Sequence, residues 1–522
     1  MALTEGLPAC GPASGRGAAM RRAISARHYH QQAALTYQAD SMSNLFLLRS
    51  SLALAASVFS MSLVACDDDT TNPSTSDVVL ANHSATPALL KFKDVSGIEV
   101  FSLLSSDDAL AQSSGYIFGG SADGAGLMKN ADGTFTMLVN HEDNFSVSRI
   151  SLDKTFKPVK GEYIVNSDGG RWRLCSATLT TLEEHGFGPT FLTCGESGEE
   201  SMTHAINPMG AAGQSNPLSG FGKWSAENAV PLPKTTYAGK TVVLIGDDDS
   251  GPHGGQLAMY MSNTVGDLSG GSLYVMARTD ENTREMDIMS GQVYNVEFRR
   301  IDNHTTLTGA QLNAKSTELK SIAFGRVEDI DYRKGGGANS REIYFNVTGQ
   351  ATSGANADYS RTKYGRVYRL KMNDSDPLKG TLEVVMNGDD RTGPAKTFQN
   401  VDNICVTTNF VYTQEDPNGY GDEAHDAYIY QYDIATKATR IVAELDHRRS
   451  DSKYGPSDSK FGSWEYGALI DISDNVGIPN TFVLCIQPHT WTGDRYKNPD
   501  GGSLRPNENQ ASQIVILKGL PR

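Results

Sequence analysis

From about residue 90 to residue 522 the chain is a succession of short apolar runs, each bounded by glycine, asparagine, aspartate or proline. No window of a dozen residues in this region has an amphipathic period near 3.6, so we predict no long helix. Short runs between turn residues, in a chain with 52 glycines, predict an all-β protein. Examples of such runs are residues 134–139, 241–245, 256–261, 272–276, 341–347, 366–371, 427–432 and 481–485.

Many short strands in one long stretch favour a β-propeller, a large sandwich or a β-helix. A β-helix would need a hexapeptide-like regularity that is missing, and a sandwich of this size would split at a linker that we do not find. We therefore predict a six-bladed propeller. Each blade would use roughly 75 residues against the usual 40–45, so long inserted loops are expected, and polar segments suited to them lie at 201–240, 302–320, 350–364 and 446–463.

The first 90 residues carry no sign of the β fold. Residues 1–41 fit neither a signal nor a domain, and we interpret them as a non-structural extension. The apolar run that follows ends in Leu63-Val-Ala directly before Cys66, which resembles a bacterial lipobox. Residues 42–65 are then a lipoprotein signal peptide, and Cys66 is the lipidated residue. The alternative is an uncleaved transmembrane anchor.

The stretch after Cys66 is polar and unpatterned, so we expect a flexible tether over residues 66–90 and a single propeller domain over residues 91–522. This organisation predicts an exported monomer, anchored in a membrane of the bacterial cell envelope on its periplasmic side or at the cell surface. The chain has 61 acidic and 46 basic residues, a net charge of −15. That balance argues against nucleic-acid binding, which requires a basic face.

Carboxylates recur where the apolar runs stop. They occur at Val139-Asn-His-Glu142, Leu244-Ile-Gly-Asp-Asp-Asp249, Arg326-Val-Glu-Asp329, Asp402-Asn403 and Tyr412-Thr-Gln-Glu-Asp416, and a thiol joins them at Cys194-Gly-Glu196. In a propeller such strand ends surround one channel, and packed carboxylates are costly unless cations neutralise them. Carboxylate oxygens suit calcium, and a thiolate suits iron or zinc. The pattern predicts a site with both metal classes; for any single acidic pair the alternative is a solvated turn.

Several of these segments resemble the PhoX-type alkaline phosphatases. They are Gly188-Pro-Thr-Phe-Leu-Thr-Cys-Gly-Glu196, Gly246-Asp-Asp248 followed by Leu257-Ala-Met-Tyr-Met-Ser262, Arg326-Val-Glu-Asp-Ile330, Asp402-Asn-Ile404 and Asn140-His-Glu142, in this order across roughly residues 115–490. The resemblance implies a six-bladed propeller whose iron–calcium cluster hydrolyses phosphate monoesters.

The resemblance also implies roles for single residues. Cys194 would be the thiolate ligand of iron, Glu328 a carboxylate ligand with a catalytic role, and Arg326 the catalytic residue that binds the substrate phosphate. His141 and Asn403 would also bind substrate. The expected metal ligands are Glu142, Cys194, Glu196, Asp247, Asp248, Glu328, Asp329, Asp402, Glu415 and Asp416. The implied mechanism is metal-assisted attack on phosphorus, with Arg326 contacting the developing charge.

The chain also departs from the family pattern. One acid fewer follows Cys194, and Gln487-Pro-His489 stands where Gln-His-Pro is expected. An alternative function is therefore a lipid-anchored, non-catalytic propeller that binds a ligand and uses calcium only to brace its loops. In that case Cys194 would be a buried thiol.

Overall fold

A computed structural model describes residues 77–213 and 215–522. The predicted extension, the signal peptide and the lipidation of Cys66 lie outside the described residues. Within these two ranges, no helix combines the length and the apolar character that crossing a membrane would require.

Twenty-six strands run through the described residues. They are β1 (Leu90–Phe92), β2 (Glu99–Ser105), β3 (Ala122–Lys129), β4 (Phe135–His141), β5 (Ser146–Leu152), β6 (Pro158–Val165), β7 (Leu174–Thr180), β8 (Thr190–Gly195), β9 (Thr203–Ile206), β10 (Asn216–Pro217), β11 (Ala226–Pro231), β12 (Thr241–Asp247), β13 (Leu257–Ser262), β14 (Ser272–Arg278), β15 (Tyr294–Ile301), β16 (Val327–Tyr332), β17 (Glu342–Val347), β18 (Arg366–Met372), β19 (Lys379–Asn387), β20 (Val401–Val406), β21 (Phe410–Glu415), β22 (Tyr428–Asp433), β23 (Thr439–Leu445), β24 (Glu465–Asp471), β25 (Thr481–Gln487) and β26 (Gln513–Lys518).

The helices in the described residues are short. The α-helices are α1 (Ser167–Gly170), α2 (Leu182–His185), α3 (Gly309–Glu318) and α4 (Ser473–Val476), and the 3-10 helices are Ser219–Phe221, Glu285–Asp287, His304–Thr306, Gly337–Arg341, Gly354–Asn356, Ser452–Tyr454 and Asp494–Tyr496. Helix α3 lies inside the segment 302–320 that we predicted as a loop. Its start is fixed by a capping box, in which the Thr308 hydroxyl accepts from the Gln311 N–H and the Gln311 side chain accepts from the Thr308 N–H.

The strands form five antiparallel sheets. Four sheets have four or five strands, in the orders β3-β4-β5-β6, β7-β8-β9-β10, β20-β21-β22-β23-β1 and β24-β25-β26-β2. The fifth has nine strands, because β11 to β15 are followed by β19, β18, β17 and β16. The predicted all-β class and a propeller-like arrangement are confirmed.

The first strand in each small sheet's consecutive run, and in each half of the nine-stranded sheet, lies at the centre of the domain. Strands β3, β7, β11, β16, β20 and β24 contact one another in this order, and β24 contacts β3 again, so they form a closed ring. Each of them begins with a β-bulge against its neighbour in the sheet. A bulge redirects side chains at the start of a strand. The bulged pairs are Asp123-Gly124, Cys175-Ser176, Glu227-Asn228, Glu328-Asp329, Asp402-Asn403 and Gly467-Ala468.

Two bulge glycines let the ring strands approach closely. A Cβ on Gly124 would lie 2.5 Å from the Cys175 carbonyl oxygen. A Cβ on Gly467 would collide with the Ala122 carbonyl oxygen and lie 2.6 Å from the Asp123 Cα. Both positions therefore require glycine for the ring to keep its spacing.

Apolar side chains fill the spaces between neighbouring sheets. Leu138 and Phe191 belong to one such cluster, and Met137 and Val483 to another. A further cluster joins the two halves of the nine-stranded sheet, where Leu244 and Phe345 are buried together. The core thus lies around the ring, and the centre is left to polar side chains.

The folded domain begins earlier in the sequence than the predicted boundary at residue 91. Leu89 is fully buried and its N–H donates to Gln513 Oε1 at 2.9 Å, and β1 extends the sheet of β20–β23. Residues 77–90 therefore belong to the packed domain, not to a flexible tether, because their apolar side chains fill gaps between sheets. Strand β2 then pairs with β26, so that a strand from the amino-terminal part of the domain completes the sheet of β24–β26.

Candidate metal centre

Nine acidic or thiol side chains meet at the centre in four linked triplets. In each triplet the three ligand atoms lie within 4.8 Å of one another. Cys175, Glu227 and Asp402 are each shared by two triplets, so the triplets form one continuous line. The triplets are Glu142–Cys175–Glu196, Asp123–Cys175–Glu227, Glu227–Glu328–Asp402 and Asp402–Asp416–Glu465.

Two kinds of position in the sheets supply these side chains. Asp123, Cys175, Glu227, Glu328 and Asp402 lie in the bulges at the start of the ring strands. Glu142, Glu196 and Asp416 directly follow β4, β8 and β21, which are second strands of their sheets. In an antiparallel pair the start of one strand lies beside the end of the next. Strand starts and strand ends therefore meet at the same side of the molecule.

This arrangement corrects one detail of the prediction. We expected every acidic cluster to follow a strand, but Glu328 and Asp402 are the second residues of β16 and β20. The convergence of the acids is nevertheless as expected, since the hairpins bring both kinds of position together.

The centre carries much more negative than positive charge. Burial, followed by the repulsion of neighbouring carboxylates, raises the pKa of Glu227 to about 8. Burial raises the pKa of Glu142 to about 7, although Arg173 opposes the shift. Burial likewise raises the pKa values of five further carboxyl groups well above the usual range: Asp123, Glu196, Glu328, Asp402 and Glu465. Such a group of acids is stable in its ionised form only with cations beside it.

Two arginines supply part of the missing positive charge. Arg173 Nε lies 3.3 Å from Glu142 and its Nη1 lies 3.7 Å from Glu196. Arg326 Nε and Nη2 contact the two oxygens of Asp248 at 2.7 and 3.1 Å, and Nη2 lies 3.1 Å from Glu328. Burial would raise the pKa of Asp248, but Arg326 outweighs it and the net pKa is lowered.

One carboxylate oxygen of the line is left without a partner. Asp402 Oδ1 is buried and accepts no hydrogen bond from the described residues. A buried ionised oxygen without a donor costs free energy, so this atom points to a cation that would contact it. The set of eight carboxylates and one thiol fits hard cations together with one metal that accepts sulfur.

A cleft of about 530 Å³ opens beside the line of acids. Arg326, Glu196 and Asp248 are among the residues that line it. Arg326 has a left-handed backbone with φ 74°, and its Nη1 donates to Asn418 Oδ1 at 2.6 Å. The arginine is therefore held by side chains on both sides and faces a space large enough for a small ligand.

Cys194, predicted as the thiolate ligand, lies outside the four triplets. Along β8 it shares a face with Leu192, and both are buried in an apolar cluster with Val243 and Ile245. Its Sγ contacts Thr203 Oγ1 at 3.3 Å. Burial raises the pKa of this thiol far above its ordinary value. The thiol at the centre is instead Cys175, whose Sγ lies 3.3 Å from Glu196 Oε2.

Four predicted carboxylate ligands, Asp247, Asp248, Asp329 and Glu415, also lie outside the triplets. Asp329 accepts from the Asn228 side chain and from the N–H groups of Ile330 and Ile404. Glu415 accepts from the N–H groups of Gln399 and Tyr428. These two carboxylates brace strands beside the centre.

Asp247 is buried at the end of β12, also outside the triplets. Asp248, by contrast, reaches the centre through its contacts with Arg326 and Glu196.

The two predicted substrate-binding side chains are buried. His141 contacts the Gly120 carbonyl at 3.1 Å and Ser148 Oγ at 2.7 Å, and its ring packs against Phe118 and Tyr163. Its position is that of a packed core histidine. The Asn403 amide lies 2.9 Å from Ser176 Oγ, beside Asp402 and inside the ring.

Sequence reasoning missed Asp123, Cys175, Glu227 and Glu465. Asp123 lies in a glycine-rich stretch that suggests a turn, and Glu227 lies in the segment 201–240 that we predicted as a loop. A repeated tetrapeptide was the available signal: an apolar residue, an acid or cysteine, a small or polar residue and an apolar residue. It occurs as Ala122-Asp-Gly-Ala125, Leu174-Cys-Ser-Ala177, Ala226-Glu-Asn-Ala229, Val327-Glu-Asp-Ile330 and Val401-Asp-Asn-Ile404.

Comparison with known proteins gives a structural likeness. No protein-family model and no curated protein matches the chain. PhoX of Pseudomonas fluorescens, solved in complex with the transition-state analogue vanadate, is similar with a TM-score of 0.57 and 14% identity over 84% of this chain and 98% of that chain. The chain therefore has a PhoX-like fold.

Two further solved structures are more distant. The PQQ-bound aldose sugar dehydrogenase of Streptomyces coelicolor has a TM-score of 0.36 and 10% identity over 81% of this chain and 99% of that chain. The GH93 α-L-arabinofuranosidase of Fusarium graminearum has a TM-score of 0.37 and 10% identity over 80% of this chain and 97% of that chain.

Proposed function

We propose that this protein is a metal-dependent phosphomonoesterase whose active site is the line of acids beside Arg326. The observation that carries the proposal is the set of four linked triplets of carboxylates and the Cys175 thiol. These triplets lie beside a cleft that Arg326 lines. The PhoX-like fold supports it, because the similar structure of PhoX holds vanadate as a transition-state analogue.

We also propose that the propeller has six blades. The nine-stranded sheet then consists of two blades, β11–β15 and β16–β19, joined where β15 pairs with β19. Two observations support this division. The closed ring has six strands, and six apolar clusters each fill the space between neighbouring sheets or half-sheets.

The proposed metals are iron and calcium. The two triplets that share Cys175 suit iron, which accepts a thiolate beside carboxylates. The two triplets that share Asp402 contain only carboxylates and suit calcium. When bound, these cations would supply Lewis-acid stabilisation of the phosphoryl oxygens and activation of water.

The protein's own residues then orient the ester. Three hydrogen bonds to Asp248 and Asn418 and an ion pair with Glu328 fix the Arg326 guanidinium. These hydrogen bonds use three of its five N–H groups, so that donor capacity remains for a phosphoryl oxygen. A fixed donor needs no reorganisation as charge develops on the phosphoryl group. The carboxylates, left alone, would repel a phosphate, so bound cations are obligatory in this proposal.

The signal peptide, the lipid anchor at Cys66 and the location in the bacterial cell envelope remain part of the proposal. An enzyme anchored in this way would meet phosphate esters outside the cytoplasm. Labelling with a radioactive fatty acid in a bacterial host, compared between the native chain and Cys66→Ala, tests the anchor separately from the activity.

Release of phosphate from p-nitrophenyl phosphate tests the function. The purified protein is stripped with a chelator and reloaded with calcium, with iron, or with both. We expect hydrolysis only when both are present, because the triplets suit two metal classes. Absence of hydrolysis in every case would overturn the proposal and favour the binding propeller.

A further inference from the structure

The residues that line the cleft are Arg326, three carboxylates and neutral groups. Arg326 is the single arginine or lysine among the described residues that line the cleft, and it is already paired with Asp248 and Glu328. Three carboxylates line the same space: Glu196, Asp248 and Asp249. Glu196 and Asp248 are paired with Arg173 and Arg326, so a ligand in this cleft meets Asp249 as the one lining carboxylate without an ion pair among the described residues.

Asp249 is held by two hydrogen bonds. Its Oδ1 accepts from the Gly251 N–H at 2.7 Å and its Oδ2 from Asn313 Nδ2 at 3.3 Å. Among the described residues, no cationic side chain forms an ion pair with it. An anionic group that enters the cleft would be repelled by this carboxylate.

Hydroxyl groups make up much of the remaining wall. The side chains of Ser225, Ser250 and Ser353 line the cleft, and no hydrogen bond within the described chain engages their hydroxyls. The Tyr420 hydroxyl donates to the Gly349 carbonyl at 3.2 Å and keeps its capacity to accept. A hydroxyl both donates and accepts, so this wall matches a ligand that is itself rich in hydroxyls.

We infer that the cleft is a leaving-group subsite for neutral, hydroxyl-rich alcohols, such as sugars and polyols that carry one phosphate. This inference rests on the proposed function and defines its substrate class. A second phosphate or a carboxylate on the leaving group would face Asp249 without a cationic partner. Sugar bisphosphates and phosphorylated carboxylic acids are therefore poor substrates, although their reacting phosphate is the same.

The test uses pairs of esters that differ in one anionic group. The metal-loaded protein is assayed for kcat/KM on glucose 6-phosphate against glucose 1,6-bisphosphate, and on glycerol 3-phosphate against 3-phosphoglycerate. We expect the ester with the additional anionic group to be disfavoured by about tenfold or more in each pair, because a nearby charge of like sign repels it in a partly screened site. Equal kcat/KM values within both pairs would overturn the inference and leave the proposed phosphatase function intact.

Two variants locate the cause of the selectivity. Asp249→Asn removes the repelling charge, and Ser353→Lys adds a cation to the same wall. Each should raise kcat/KM on the bisphosphate relative to the monophosphate. Asp302→Asn is the matched control, because it removes one charge from an exposed turn outside the cleft.

The outcomes distinguish failure of the subsite from failure of the phosphatase function. If the wild-type protein prefers monophosphates and neither cleft variant changes the ratio, the subsite lies elsewhere and the inference is overturned. If no ester of either pair is hydrolysed by the loaded protein, the proposed function fails and the inference fails with it.

Discussion

At the scale of single residues, the cysteine at the centre is Cys175, whereas the sequence led us to predict Cys194. Both cysteines lie on strands, and an acid follows Cys194 two residues later. Strand alternation decides between them: Cys194 faces an apolar cluster, whereas the bulge in β7 turns Cys175 toward the acids. A bulge depends on pairing with a partner strand, so the local sequence did not reveal it.

Arg326 and Glu328 lie side by side at the centre, and the roles predicted for them remain predictions. Arg326→Lys should lower kcat/KM for p-nitrophenyl phosphate by about a hundredfold, because lysine cannot reproduce the paired contacts with Asp248 or the planar donor set. Steady-state kinetics measures the loss. Arg341→Lys is the control, since Arg341 pairs with the exposed Asp374 on the surface. Equal kinetics in the two variants would contradict the role given to Arg326.

At the scale of elements, the start of each ring strand is the critical position. Gly467→Ala should destabilise the fold by about 1–3 kcal/mol, the usual cost of overpacking, since the new methyl group would collide with Ala122. It should also reduce metal content, because the displaced strand β3 carries Asp123. Urea unfolding and elemental analysis measure both effects. Gly115→Ala adds the same methyl group in open space; if both variants behave alike, close packing of the ring is not the reason.

The short helix α2 offers a pH-dependent test away from the centre. His185 is buried at its end, and burial lowers its pKa from 6.5 to about 4. The unfolded chain therefore binds the proton first as the pH falls, and the contribution of neutral His185 to stability is lost between pH 6.5 and 4. The loss amounts to about 3 kcal/mol at most.

His185→Gln keeps an acceptor for the Thr181 N–H and cannot titrate. Its free energy of unfolding, measured in urea at several pH values, should fall less steeply from pH 6.5 to 4 than that of the wild type. Parallel curves for the two proteins would show that His185 is protonated equally in both states.

Some strands could be predicted from the sequence and others could not. Runs such as 241–245 and 481–485 are strands as predicted, because their apolar residues are buried on both faces. Residues 201–240 were predicted as a loop, yet they contain β9, β10 and β11. Strand β11 reads Ala-Glu-Asn-Ala-Val-Pro. Its polar side chains are accommodated by hydrogen bonds across the ring, because Glu227 accepts from the Ser176 N–H and Asn228 donates to Asp329. Tertiary surroundings override local pattern here.

At the scale of the whole molecule, the fold gathers charge in one place. The net charge of −15 says little by itself, but the ring brings eight carboxylates and one thiol into a continuous line. Each of the six ring strands supplies at least one of them. Cations bound along this line would cross-link all sides of the ring, so metal binding and the integrity of the fold are coupled.

The central claim is that this line holds iron through Cys175 together with calcium. The most direct measurement is elemental analysis of the purified wild type, Cys175→Ser and Cys194→Ser, prepared side by side. We expect iron and calcium in the wild type and in Cys194→Ser, and loss of iron from Cys175→Ser. A wild type without iron, or iron retained in Cys175→Ser and lost from Cys194→Ser, would contradict the account.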